Sequence, residues 1–164
     1  MERLGVLIGE CVGSGAVLAL DGELGTGKTT LVRGLARGLG VSEPVSSPTY
    51  TLMHSYPGRL ELFHFDAWMQ GREAAFLDGG GAEWFHSGGV AVVEWASRVS
   101  EYLPVDRLEI ELSHRGTPRF DDEGQLDPDQ ERGCRMRALG PGSRALLDQL
   151  RPRLEAVGLR EVVS

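Results

Sequence analysis

The spacing of apolar residues changes period along this chain, and each change predicts an element. Leu4, Leu7, Ile8 and Cys11 recur at i, i+3, i+4 and i+7, which predicts a short amphipathic helix ended by Gly13, Ser14 and Gly15. Residues 16–20 form an unbroken apolar run of strand length. Over 29–39 the period is helical again, with Leu31, Leu35 and Leu39 on one stripe and Arg33 and Arg37 off it. Residues 41–49 are rich in Pro and Ser and read as loop. Residues 50–56 and 60–65 predict the strands of a hairpin around Pro57 and Gly58. Short helical pieces are expected at 72–77 and 82–86, parted by glycines. Residues 90–93 predict a buried strand, and 108–112 alternate apolar and acidic as a half-exposed strand does. Residues 134–139 alternate again, with Arg135 and Arg137 on one face. A closing helix is expected over 144–157, with Pro152 able to kink it. The polar, acidic stretch 115–132 reads as a mobile loop and 158–164 as a loose tail. Strands interleaved with helices predict an α/β fold. We expect a single three-layer domain over 1–164 with a mostly parallel central sheet and some antiparallel strands.

Chemistry enters at the first strand-to-helix junction. Gly22, Glu23, Leu24, Gly25, Thr26, Gly27, Lys28 and Thr29 match the phosphate-binding loop pattern G-x-x-x-x-G-K-[ST] in full. Lys28 is the only lysine among 17 basic residues. A chain that uses arginine everywhere else keeps a compact ammonium here, where a point charge fits between β- and γ-phosphate oxygens. Strand, glycine loop and helix is the context the motif needs. Glycines let successive N–H groups turn inward, and the helix N-terminus adds partial positive charge. Glu23, Leu24, Gly25, Thr26, Gly27, Lys28, Thr29 and Thr30 are therefore expected to bind ATP, with the Thr29 hydroxyl on Mg2+.

Two acids end apolar strands: Asp66 after Leu62–Phe65, and Glu94 after Val90–Val93. Ligands of open α/β sheets lie beyond the carboxyl ends of the strands. An acid there can hold magnesium, usually through water, or orient an attacking water. A lone strand-end acid is more often a solvated charge. The loop shifts that balance, because Thr29 alone cannot satisfy a magnesium ion. Lys28, Asp66 and Glu94 are the expected catalytic residues, and Thr29, Asp66 and Glu94 the expected metal ligands. The residues do not divide the two roles between Asp66 and Glu94. His64 reads as a structural histidine ahead of a catalytic base. Trp68 and Trp84 read as packing residues. Trp95 reads as a core or interface aromatic, or as a cover for the nucleotide edge. Asp121, Asp122 and Glu123 read as a solvated charge run, and Arg135 and Arg137 as a solvent-facing pair.

Composition narrows the class. The 164 residues are 41% hydrophobic and 25% charged, enough for a real core. No run of 18 apolar residues and no leader pattern occurs, so no membrane span is expected and a cytoplasmic location is. Cys11 and Cys134 lack metal-like spacing and read as reduced thiols. A net charge of −7 argues against a broad nucleic-acid footprint. The chain has no asparagine, which closes the Asn-Lys-x-Asp route to guanine recognition.

Residues 22–40, then Ser46-Ser47-Pro48-Thr49-Tyr50, then His64-Phe65-Asp66-Ala67-Trp68, then Val92-Val93-Glu94-Trp95-Ala96, in this order, resemble the TsaE (YjeE) family. The resemblance runs from about Leu4 to Arg98. It implies a P-loop ATPase acting in threonylcarbamoyladenosine formation in tRNA. It further implies that ATP hydrolysis resets the partner proteins TsaD and TsaB, which carry out the transfer and through which tRNA is met. It implies that Thr49 contacts the γ-phosphate side, that Asp66 holds magnesium or positions water, and that Glu94 is the magnesium-side carboxylate. The family's tyrosine and arginine after the aspartate are Trp68 and Met69 here, with Arg72 near enough to substitute, and its proline-acid pair is Ala96-Ser97. A small-molecule or nucleotide P-loop kinase is the rival reading; it usually needs an arginine-rich lid, and 73–97 contains no arginine. A non-catalytic nucleotide-binding scaffold is the third, and the two strand-end acids argue against it.

Overall fold

The computed structural model describes residues 1–69, 71–117, 131–157 and 162–163. Helix α1 (Glu2–Cys11) leads into β1 (Val17–Gly22), the phosphate-loop segment and α2 (Lys28–Gly38). Strands β2 (Met53–Tyr56) and β3 (Leu62–Asp66) follow, then α3 (Arg72–Asp78) and a 3-10 segment, Gly81–His86. After β4 (Val90–Glu94) comes a second 3-10 segment, Ala96–Tyr102, then β5 (Leu108–His114), β6 (Arg132–Ala138), α4 (Pro141–Ala156) and β7 (Val162–Val163).

Among the described residues the strands form one sheet in the order β2-β3-β4-β1-β5-β6-β7. Strands β3, β4, β1 and β5 run parallel at its centre, while β2 and β6 pair antiparallel at its flanks. Every residue of β4 is buried, as expected of a parallel strand covered on both faces. Val90 and Val92 face the core under α1, α2 and α4, together with Leu18, Leu20 and Ile110. Ala91 and Val93 face the other core, where Leu77 of α3 and Phe85, Val99 and Leu103 of the 3-10 regions pack. The fold is thus three-layered and α/β, with long helices on one face and short helical pieces on the other.

Helices α1 and α2 meet through glycine. A Cβ built on Gly5 would lie 2.1 Å from the Leu31 carbonyl oxygen, and one on Gly34 would lie 2.0 Å from that of Glu2. Gly9 and Gly38 make the same approach one turn on, to Leu35 and Val6 oxygens at 2.3 Å each. No side chain fits at these contacts, so the backbones touch directly. This fixes α2, which carries Lys28 and Thr29 at its start.

The elements differ from expectation mainly at their ends. Residues 50–52 turn instead of extending, with Leu52 at φ 67°, and β2 starts at Met53. Strand β6 starts at Arg132, two residues before the alternating pattern, because it pairs along the whole of β5 from Leu108↔Ala138 to His114↔Arg132. Helix α4 starts at Pro141: Gly142 and Ser143 N–H donate to Asp106 at 2.7 and 2.9 Å, and this capping carboxylate lies in a distant loop. Pro152 does not end α4, which continues on its buried Leu150 and Leu154. The 3-10 segment after β4 has no counterpart in the sequence reading. Most of 115–132 and 158–164 lies outside the described residues, as do Asp121, Asp122 and Glu123; Val162 and Val163 pair parallel with β6.

Candidate nucleotide and metal site

Strand β1 runs into a loop with Gly22, Gly25 and Gly27 at φ 140°, 80° and 99°, values that side-chain-bearing residues rarely adopt. A Cβ on Gly22 would lie 2.3 Å from the Leu112 oxygen, so the loop leaves the sheet pressed against β5. Thr26 is fully buried and its hydroxyl donates to the Glu23 carbonyl at 2.8 Å. Lys28 Nζ donates to the carbonyls of Gly22 at 2.7 Å and Glu23 at 3.0 Å. It also lies 3.6 Å from the centroid of the Trp95 ring. Burial pushes the Lys28 pKa below its ordinary value, against the raising pull of Glu94, Asp66 and Asp21. The side chain is a desolvated cation ringed by acids, held by partners that a phosphate could replace.

The two strand-end acids stand side by side. Asp66 and Glu94 are register partners on adjacent parallel strands, and each residue is 3% exposed. Thr29 Oγ1 lies 3.0 and 3.1 Å from the two Glu94 oxygens. His64 Nε2 lies 2.8 Å from Glu94 Oε1. Asp66 has different neighbours: Ser47 Oγ and Thr49 Oγ1 both donate to Oδ2, the latter at 2.8 Å, and Trp68 N–H donates to Oδ1 at 3.0 Å. Thr49 thus binds Asp66 through its hydroxyl.

These groups border a cleft of about 390 Å³ lined by Leu24, Gly25, Gly27, Lys28, Thr29, Thr30, Thr49, Asp66 and Glu94, and also by Ser47, Trp68, Trp95 and Arg132. Glu23 and Thr26 are not in its wall; they shape the loop behind it. Trp95 has φ 59° and ψ 40°, a left-handed conformation that costs about 1–3 kcal/mol for such a residue. Its ring packs on Trp68 with centroids 4.6 Å apart. The Arg98 guanidinium lies 4.8 Å from the Trp68 centroid and 5.1 Å from that of Trp95, and donates to the Trp68 carbonyl at 2.6 Å. Arg72 reaches the Tyr50 carbonyl at 3.3 Å and is not in the cleft wall.

The family resemblance puts the loop of Ser47, Pro48, Thr49 and Tyr50 near the γ-phosphate, with Thr49 as its polar contact. Sequence reasoning did not single out Ser47 and did not place Arg98 or Arg132 at the site. Arg132 carries no local signal, since only the β5–β6 register brings it to the cleft end of the sheet. A larger groove of about 630 Å³ lies over the open face of β5 and β6. Its charges answer one another across the strands, Arg137 to Glu109 at 2.6 Å and Arg135 to Glu111 at 3.5 Å, which is where the solvent-facing arginine pair ends up. Trp84 packs on Phe63 at 5.0 Å, away from the cleft.

The donor set suits magnesium brought in on phosphates. Among the described residues no group of three or more His, Cys, Asp or Glu gathers into a metal cage. One hydroxyl and two carboxylates are hard oxygen donors, and magnesium takes few protein ligands when phosphates and water supply the rest. Thr29 can give its proton to Glu94 and turn a lone pair to a metal. Among the described residues no helix is long and apolar enough to cross a membrane. Cys11 and Cys134 are not joined in a disulfide.

The family model for "Threonylcarbamoyl adenosine biosynthesis protein TsaE" matches residues 1–120. A tRNA threonylcarbamoyladenosine biosynthesis protein TsaE from Treponema pallidum (strain Nichols) is 42% identical over 110 residues, covering 67% of this chain and 82% of that one. A protein of the same description from Bacillus subtilis (strain 168) is 43% identical over 113 residues, covering 68% of each. The crystal structure of Bacillus subtilis YdiB superposes with a TM-score of 0.71 at 31% identity, over 93% of this chain and 87% of that one. This chain belongs to the TsaE family.

Proposed function

We propose that this protein binds and hydrolyses ATP with magnesium in the cytoplasm, as an accessory to threonylcarbamoyl modification of the tRNA adenosine next to the anticodon. The partners in this reading are TsaD and TsaB, with tRNA met only through their complex. The observation that carries it is the convergence of Lys28, the Thr29–Glu94 pair and Asp66 on one cleft. The names of the relatives supply the pathway.

Bound magnesium would neutralise charge developing on the β- and γ-phosphate oxygens. Thr29 and Glu94 would hold it, with Asp66 beside them to hold its water shell or the attacking water. Lys28 exchanges its carbonyl and indole partners for phosphate oxygens, a better match for a desolvated ammonium. In that exchange Lys28 gives up its contact with the Trp95 ring. Slow turnover in the lone chain fits this reading, because Lys28 has to leave its carbonyl and indole partners before it can hold phosphate.

The test uses ATP labelled at the γ-phosphate. Label is expected as free phosphate, with the rate rising on addition of TsaB and TsaD and little with tRNA alone. Lys28→Ala is expected to lower nucleotide affinity and turnover by at least about 100-fold, read by calorimetry and phosphate release. Label on a small molecule would favour a kinase, and no response to the partner pair would leave only a generic ATPase.

A further inference from the structure

We propose that His64 is a positioning residue, donating from Nε2 to hold Glu94 with one oxygen turned inward and the other toward the cleft. This rests on reading Glu94 as the magnesium-side carboxylate. His64 lies opposite Val92 on β4, two residues before Glu94 on the same face. Strand side chains lean along the strand, so the ring reaches forward under the carboxylate. The contact is 2.8 Å, with side-chain exposures of 0% and 3%. His64 Nδ1 is buried with no hydrogen-bond partner. A ring proton on Nδ1 would be stranded, whereas on Nε2 it has an acceptor, and a stranded buried donor costs about 1–3 kcal/mol. The unpartnered nitrogen therefore fixes the tautomer.

The consequence falls on Glu94. Oε1 receives both His64 and Thr29, while Oε2 receives Thr29 alone, at 3.1 Å. A carboxylate pinned at one oxygen from below cannot rotate that oxygen into the cleft. It presents Oε2, in a fixed plane, beside the Thr29 hydroxyl. The histidine touches neither nucleotide nor metal and acts wholly through Glu94.

Three substitutions separate this role from packing. His64→Gln puts an amide donor near the position of Nε2, His64→Asn puts one near Nδ1, and His64→Phe keeps the ring volume with no donor. With ADP bound, Mn2+ affinity read by electron paramagnetic resonance is expected to fall about 10–100-fold in the Asn and Phe variants. The Gln variant is expected to stay within about threefold of wild type. The rate constant kcat should follow the same order, with KM for ATP little changed. Thermal melts check folding; if the Asn and Phe variants do not fold, the Gln variant and the following measurement decide. In the nucleotide-free protein, nitrogen-15 spectra of the His64 ring should show the proton on Nε2 and should change on Glu94→Ala. A bare Nε2 overturns the proposal, as does wild-type Mn2+ affinity in His64→Phe. A wild type that binds neither nucleotide nor Mn2+ would sink the ATPase reading instead, and the ring spectrum would still report the His64–Glu94 contact.

Discussion

Glu94 and Asp66 stand in register at the ends of neighbouring strands and are equally buried, yet they are held from opposite sides. Glu94 is gripped from the core, by His64 beneath and by Thr29 on a helix whose backbone touches α1. Asp66 is gripped by Ser47 and Thr49, on the irregular segment between α2 and β2. Hydrogen bonds to a charged group contribute about 1.5–3 kcal/mol each at most, so the Ser47 and Thr49 hydroxyls can leave Asp66 when a ligand offers them better partners. The helix contact behind Glu94 offers no such exchange. One carboxylate is held by the core and a helix, and the other by a loop.

The difference can be broken most sharply by removing each acid. Glu94→Ala should lower hydrolysis by about 10²–10³-fold and destabilise the fold by about 1–3 kcal/mol, because the His64 donor loses its acceptor in the core. Asp66→Ala should also lose hydrolysis but leave stability within about 1 kcal/mol, since its loop partners can return to water. Phosphate release and chemical denaturation read the two effects; equal stability losses would erase the distinction between core and loop support. Next in size is Gly34→Ala. Helix propensity alone would favour alanine by about 1 kcal/mol. The 2.0 Å approach to Glu2 predicts the opposite sign, a loss of about 1–3 kcal/mol in a denaturant titration. A stabilised variant would show that α2 is not locked. The smallest effect is expected from Ser47→Ala with Thr49→Val. Freed from Asp66, the loop should be cleaved faster by a protease, while stability shifts by less than about 1 kcal/mol. An unchanged cleavage rate would mean that the hydroxyls do not hold the loop.

The legible parts of this molecule are those written locally. The phosphate loop lies in consecutive residues, and both acids follow apolar runs, so motif and strand ends could be read directly. Their support could not. Strands β3 and β4 are neighbours only because the chain between them, with α3 and a 3-10 segment, crosses over the sheet. That crossing puts His64 under Glu94, and a histidine between two phenylalanines shows only that it is buried. Trp95 follows Glu94 in sequence, but its left-handed backbone, which turns the ring onto Lys28, has no sequence mark. Gly5, Gly9, Gly34 and Gly38 escape a reading based on apolar period, because glycine adds nothing to a hydrophobic stripe. Arg72 was near enough in sequence to suggest a role, and the fold turns it to Tyr50 instead.

The glycine contact between α1 and α2 also bears on heritable variation. Every other coded residue is larger than glycine, so any missense change at Gly5, Gly9, Gly34 or Gly38 adds atoms where a Cβ already meets backbone within 2.3 Å. Such a change can be absorbed only by parting the helices, one of which carries Thr29 at its start. Four positions that carry no functional group are thereby tied to the geometry of the site, and substitutions there should be purged as surely as those at its charged residues.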